Sequence, residues 1–377
     1  MVDVLGLTII LPLLPFYAER LGASPTVVGL LVSTYAACQL VAGPLLGQIS
    51  DRVGRRPLLL VSQLGTFIGF LILAWAGFAR LLWMVFLSRV IDGLTAGNLS
   101  LAQAYISDVT TPEERAKSFG VIGVAFGIGF LIGPAISGFL STFGYQYPVF
   151  AAAALSATSI FCTYFLLPGA PVVAESGRRL RVLDWGNYVT YFRRPALAQL
   201  LWQFFAFAFA FAIFMSGFAL FAERRFTWNG HPFGVKEVGY TFAYVGFLGI
   251  ILQGGLIGRL VRRFGETRLV SWGFFTATVG FALIGFSYRL PSLLVASTLS
   301  SFGTGTLRPA LTSLITQRAG REEQGVVLGL TQSLMSVSQI VAPVIAGFLI
   351  DRELLTTWAV VGAAVTAVGF VIGSFKN

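Results

Sequence analysis

Apolar residues dominate this chain in twelve stretches, near 1–17, 25–46, 57–77, 81–106, 117–141, 146–167, 197–221, 237–258, 268–287, 291–315, 325–349 and 355–374. About 20 such residues let a helix cross the hydrocarbon of a bilayer, where each backbone N–H and C=O must be satisfied within the segment. The pattern predicts an all-α membrane protein of twelve transmembrane helices. The longest polar interruption runs from Gly169 to Arg194 and parts the spans into two sets of six. It sets an N-terminal bundle over 1–168, a cytoplasmic linker over 169–194 and a C-terminal bundle over 195–377. No cleavable leader is recognisable. The first run begins almost at Met1, so part of span 1 is expected to lie upstream of it.

Composition sharpens this. The chain is 56% hydrophobic and 11% charged, whereas a soluble domain is about 25% charged. Its net charge of +10 would suggest nucleic acid in a soluble protein, but the distribution makes it a topology signal. If span 1 runs outward, the inside loops carry Arg52, Arg55, Arg56, Arg115, Lys117, Arg178, Arg179, Arg181, Arg193, Arg194, Arg259, Arg262, Arg263, Arg268, Arg318, Arg321 and Lys376. The outside loops carry only Arg20, Arg80, Arg224, Arg225, Lys236, Arg289 and Arg352. The positive-inside rule then places both termini in the cytoplasm of a multi-pass cell-membrane protein. No nucleic-acid partner is expected. Cys38, Cys162 and the single His231 have neither metal-ligand nor disulfide spacing, so no metal or organic cofactor is expected, and the cluster a membrane enzyme would need is missing.

The two halves repeat. Thr111-Pro112-Glu113-Glu114-Arg115 leads into Gly133-Pro134 and Gly138-Phe139-Leu140; about 210 residues later Arg321-Glu322-Glu323-Gln324 leads into Ala342-Pro343 and Gly347-Phe348-Leu349. Between spans 2 and 3 lies Gly47-Gln48-Ile49-Ser50-Asp51-Arg52-Val53-Gly54-Arg55-Arg56, a charged turn. Gly47 is expected to let two helices approach, Gly54 to permit the reversal, and Asp51 to accept from the N-terminus of a neighbouring helix. Gly258-Arg259-Leu260-Val261-Arg262-Arg263-Phe264-Gly265 is a weaker copy in which Arg262 replaces the acid. The spacing G-x-x-x-D-R-x-G-R-R resembles the loop between helices 2 and 3 of the major facilitator superfamily. That resemblance implies two pseudo-symmetric six-helix bundles with a substrate site between them. It also implies a conformational gate of Gly47, Asp51, Arg52, Gly54, Arg55, Arg56, Asp108, Glu113 and Arg115, although the same charges equally serve topology.

Span 5 holds Gly129, Gly133, Pro134 and Gly138. Small residues there permit close packing, and Pro134 removes an amide and bends the helix. The pattern resembles the antiporter signature of this superfamily's drug exporters, which implies a hinge; an ordinary packing face would look the same. Asp3, before Gly6, Pro12 and Pro15, resembles the first helix of the tetracycline/proton antiporters, and Arg89-x-x-x-Gly93 resembles the helix 4 motif tied to proton translocation. The resemblance implies proton coupling through Asp3, Arg89 and Asp92. A static Arg89–Asp92 pair and an idle interfacial Asp3 are the plainer alternatives. Intramembrane charges cost several kcal/mol each and call for a reason. Tetracycline exporters also carry an acid on helix 3 where this chain has Gly69, a departure that bears on the substrate.

Gln39, Asn98, Gln203, Tyr240, Tyr244, Arg308, Gln332, Ser336 and Gln339 are the candidate substrate lining, each also able to serve as a helix–helix hydrogen bond. Together these features imply a secondary active transporter, a monomer that exports small hydrophobic or amphipathic compounds by proton antiport, with the proton gradient as energy source. The alternative, favoured by Arg308, is a transporter of a physiological metabolite such as a sugar, a lipid-like molecule or an organic anion.

Overall fold

The computed structural model describes residues 2–110, 112–168, 190–319 and 323–374, with backbone alone for 112–120 and 325. Its helices are α1 (Val2–Arg20), α2 (Pro25–Val53), α3 (Arg55–Ala79), α4 (Leu82–Leu94), α5 (Asn98–Val109), α6 (Pro112–Ser141), α7 (Gln146–Leu166), α8 (Pro195–Arg225), α9 (Val235–Ile251), α10 (Ile257–Phe264), α11 (Glu266–Gly285), α12 (Leu290–Arg318), α13 (Gln324–Asp351) and α14 (Leu355–Ser374). A two-residue antiparallel pair, β1 (Thr227–Trp228) and β2 (His231–Pro232), joins α8 to α9. All twelve expected spans are helical, so the apolar stretches were read with the right count and type. The linker, apart from its last residues, lies outside the described residues.

Two spans depart from a plain helix. Span 4, expected as one helix over 81–106, is broken at Thr95-Ala96-Gly97 into α4 and α5. The backbone groups freed by the break are taken up by Ser62 of α3, whose hydroxyl donates to the Thr95 carbonyl and accepts from Gly97 N–H at 3.0 Å. A break inside lipid survives only where such groups are re-satisfied. Span 8 passes through one π-helical turn, Leu252–Leu256, between α9 and α10. Among the described residues, ten helical spans are long and apolar enough to cross a membrane. The two spans not among them are the broken fourth and α12, which is rich in Ser and Thr and carries Arg308.

The chain divides into two compact units: Met1–Ala23, Thr34–Leu183 and Val235–Ala243 form one; Ser24–Ser33, Asp184–Gly234 and Tyr244–Asn377 form the other. Each unit thus takes in the opening turns of one helix from the other half of the sequence. In the first unit the start of α9 packs on α6: a Cβ on Gly239 would overlap the Pro134 carbonyl, and one on Gly138 would meet Lys236 backbone at 3.0 Å. In the second the start of α2 packs on α13 in the same way, Gly29 against the Pro343 carbonyl and Gly347 against Pro25. Ser33 Oγ donates to the Ile340 carbonyl and Thr26 Oγ1 to Asp351, both at 2.6 Å. Bare glycines let backbone meet backbone, which is how helices gain packing where lipid supplies no hydrophobic drive.

Small residues also set the α11–α12 pair, where Gly280 abuts Ser300 and Gly303 abuts Ala277. α8 and α14 are joined differently. Gln203 and Gln199 donate to the Gly369 and Ile372 carbonyls at 3.1 and 2.6 Å, and Trp358 lies stacked against Phe214 and Phe221.

Candidate functional site

Among the described residues, span 4 carries the most deeply buried charges of the first unit. Arg89 and Asp92 lie one turn apart on α4, each 5% exposed, with Arg89 Nη1 3.4 Å from Asp92 Oδ2. The pairing is single and long, and Arg89 Nη2 is buried without a partner. The Thr66 side chain of α3 pairs with the Asp92 carboxylate, and Tyr35 of α2 lies within electrostatic reach of both charges. Gln39 donates to the Tyr35 hydroxyl at 3.4 Å. Gly69 of α3 lies against this pair: a Cβ there would come within 3.3 Å of Asp92 Cβ and the Ser88 carbonyl, a tight fit. Neutralising either member of such a pair leaves a buried charge uncompensated, at roughly 3–5 kcal/mol. A proton arriving at Asp92 therefore forces Arg89 to find another anion or a wetter place.

Asp3 lies elsewhere. Its Oδ2 accepts from Gln63 Nε2 of α3 at 3.1 Å, and Gln63, 2% exposed, also donates to Ser159 of α7 at 2.9 Å. The hydroxyl of Ser62 turns toward α4 and the amide of the next residue, Gln63, toward α1 and α7, so Asp3 and Asp92 lie against different faces of α3. They form two centres, not one. Asp3 Oδ1 and Gln63 Oε1 are both buried and unpartnered. Gln63, Thr66 and Tyr35 were not among the expected site residues; the signal for the first two was present as polar positions inside an otherwise apolar span.

The α2–α3 turn is organised by Arg55. It reaches Asp51 at 2.5 Å, Asp108 of α5 at 2.9 Å, Ser50 Oγ at 2.5 Å and the Gly47 carbonyl at 3.4 Å. Among the described residues a Cβ on Gly47 would meet nothing within 4 Å, and its carbonyl accepts from Arg55. Asp51 takes the guanidinium of Arg55, the first residue of α3, across the turn. Gly54 does make the reversal, at φ 105°. Arg56 donates to the Tyr164 carbonyl and lies 5.8 Å from its ring centroid. Arg52 also has a partner. The side chains of Glu113 and Arg115 lie outside the described residues.

On α6 the motif divides. Gly129 and Gly133 face Val4 and Thr8 of α1, while Pro134 and Gly138 face the start of α9. The expected lining scatters similarly. Asn98 opens α5 with its Oδ1 buried and unpartnered. Tyr240 is half exposed, and Tyr244 bonds Thr298 at 2.7 Å in the second unit. Gln203 is 4% exposed and spends its amide on Gly369, a strut between helices. On α13 Gln332 is exposed, Ser336 is buried and bonded to its own helix, and Gln339 is half-buried. Arg308 is exposed on α12 and has no anionic partner among the described residues.

The chain matches the profile of the Major Facilitator Superfamily over residues 1–268 and 254–376. It is 30% identical to the class B tetracycline resistance protein of Escherichia coli over 364 residues, 94% of this chain and 87% of that one. It is 28% identical to multidrug resistance protein 2 of Bacillus subtilis (strain 168), with 93% and 86% covered. Among solved structures, the human organic anion transporter MFSD10 superposes with a TM-score of 0.72 at 22% identity, covering 99% of this chain and 96% of that one. The nucleoside transporter NupG superposes with a TM-score of 0.75 at 13% identity over the whole of both chains.

Proposed function

The chain belongs to the Major Facilitator Superfamily, a family of membrane transporters and not of enzymes, and we propose that it is a proton-coupled exporter of small hydrophobic or amphipathic compounds. The observation that carries this reading is the buried, singly bonded Arg89–Asp92 pair with Tyr35 and Thr66 around it. Such a pair has one stable charged form and one in which a proton on Asp92 sets Arg89 loose, and a transport cycle needs two forms of that kind. Relatives named for tetracycline and multidrug resistance support export of compounds of that class. In this reading Asp3 with Gln63 is the second protonation centre, the Arg55 cluster is the gate, α6 is the hinge, and both termini are cytoplasmic. One inward proton supplies about 2.3 kcal/mol per 100 mV and about 1.4 per pH unit. Together that supports a substrate gradient of several hundredfold.

The test is pH-driven uptake into proteoliposomes by Asp92→Asn and Asp3→Asn variants. Asp92→Asn is expected to abolish accumulation while leaving downhill counterflow. If both variants kept full pH-driven uptake, the proposed carriers would be wrong.

A second reading, transport of an organic anion, rests on Arg308: an exposed guanidinium within a span that meets no carboxylate among the described residues is a natural partner for a substrate's negative group. Arg308→Ala would then abolish anion transport and spare that of cations.

A further inference from the structure

The turn between α10 and α11 repeats the α2–α3 turn with its charges exchanged. Gly258 and Gly265 stand where Gly47 and Gly54 do, but Arg262 takes the place of Asp51 and Glu266 that of Arg55. In the first copy protein groups hold the arginines: Asp51 and Asp108 take Arg55, and the Tyr164 carbonyl takes Arg56. In the second, Glu266 is occupied by Ser313 and Gln317 of α12, at 3.1 and 3.0 Å. Arg259, Arg262, Arg263 and Arg268 are all exposed and form no salt bridge among the described residues. Arg262 donates to the Gly258 carbonyl of its own helix at 3.3 Å, and Arg263 lies over the Phe264 ring.

The turn closes the apolar span Val235–Phe264, which places it at a span end. Phe264 and Trp272 lie tilted to each other with ring centroids 4.7 Å apart, Trp272 is 43% exposed, and Trp rings favour the headgroup level. The opposite face of α10 borders a cavity of about 200 Å³ lined by Ile257, Gly258, Val261, Glu266, Pro309, Ala310 and Ser313, so the arginines lie on the side of the helix away from Glu266. Cations that meet no carboxylate among the described residues and stand at a span end attract the anionic headgroups of a bilayer.

We propose that the α10–α11 turn binds an anionic phospholipid, with the phosphate held by Arg259, Arg262 and Arg263. Each basic residue near an anionic surface contributes roughly fivefold, so three together favour an anionic over a zwitterionic headgroup by roughly a hundredfold.

The purified full chain is titrated with phosphatidylglycerol or phosphatidylcholine of matched acyl chains, and retained lipid is counted by native mass spectrometry. Phosphatidylglycerol is expected to be held preferentially, with the preference lost in R259Q/R262Q/R263Q and kept in R259K/R262K/R263K. Should the triple glutamine variant not fold, Arg259→Gln alone is expected to lower the preference roughly fivefold. Equal retention of both lipids by the unaltered chain, or an unchanged preference in the glutamine variants, overturns the proposal. So does full displacement of the lipid by an equal concentration of glycerol 3-phosphate, which would make the site one for free phosphate.

Discussion

Gly54 and Gly265 occupy a backbone region that essentially no other residue adopts. Their dihedrals are φ 105°, ψ 149° and φ 77°, ψ 158°, outside the left-handed helical well that asparagine tolerates. Gly54→Ala is therefore expected to lower stability by about 1–3 kcal/mol, and Gly54→Asn should be no better, which thermal unfolding in detergent will show. Asparagine restoring the native midpoint would mean the turn relaxes into another conformation. At this scale the sequence was legible where a residue's own backbone decides, as at Gly54. It was silent where a neighbour decides: Gln63 meets Asp3 only because α1 and α3 are brought together against α7.

Among elements, the break in span 4 is the feature that hydrophobic patterning concealed. Residues 81–106 read as one apolar run, and Thr95-Ala96-Gly97 contains no proline to stop it. The interruption is held from outside, by one hydroxyl on α3 that serves a carbonyl and an amide. Ser62→Ala removes the hydroxyl both groups share and leaves them only their own Gly97 N–H to Thr95 carbonyl bond at 2.7 Å, which is expected to cost about 1 kcal/mol. Hydrogen exchange should then quicken at Gly97 while the α3 core stays protected. Unaltered exchange would show that the break stands without Ser62. The twelve spans, by contrast, were legible because a bilayer imposes one length on all of them.

For the whole molecule, the repeated contacts of Gly239 with Pro134 and of Gly29 with Pro343 matter most. Each opposes backbone that cannot yield, so Gly29→Leu and Gly239→Leu are each expected to destabilise by about 1–3 kcal/mol. The two sites share no partner, and the double variant should lose the sum; a marked departure in its thermal midpoint would reveal coupling between them. The same feature decides what happens when the chain is cut. Severed between 169 and 194, the polypeptide yields two fragments, and neither contains a complete packing unit. The N-terminal fragment lacks the Val235–Ala243 plug of its own unit, and the C-terminal one lacks Ser24–Ser33. Produced alone, each fragment presents naked glycine grooves to lipid and should be degraded; produced together, each can lend the other its missing piece, so split-gene complementation becomes an assay for this exchange.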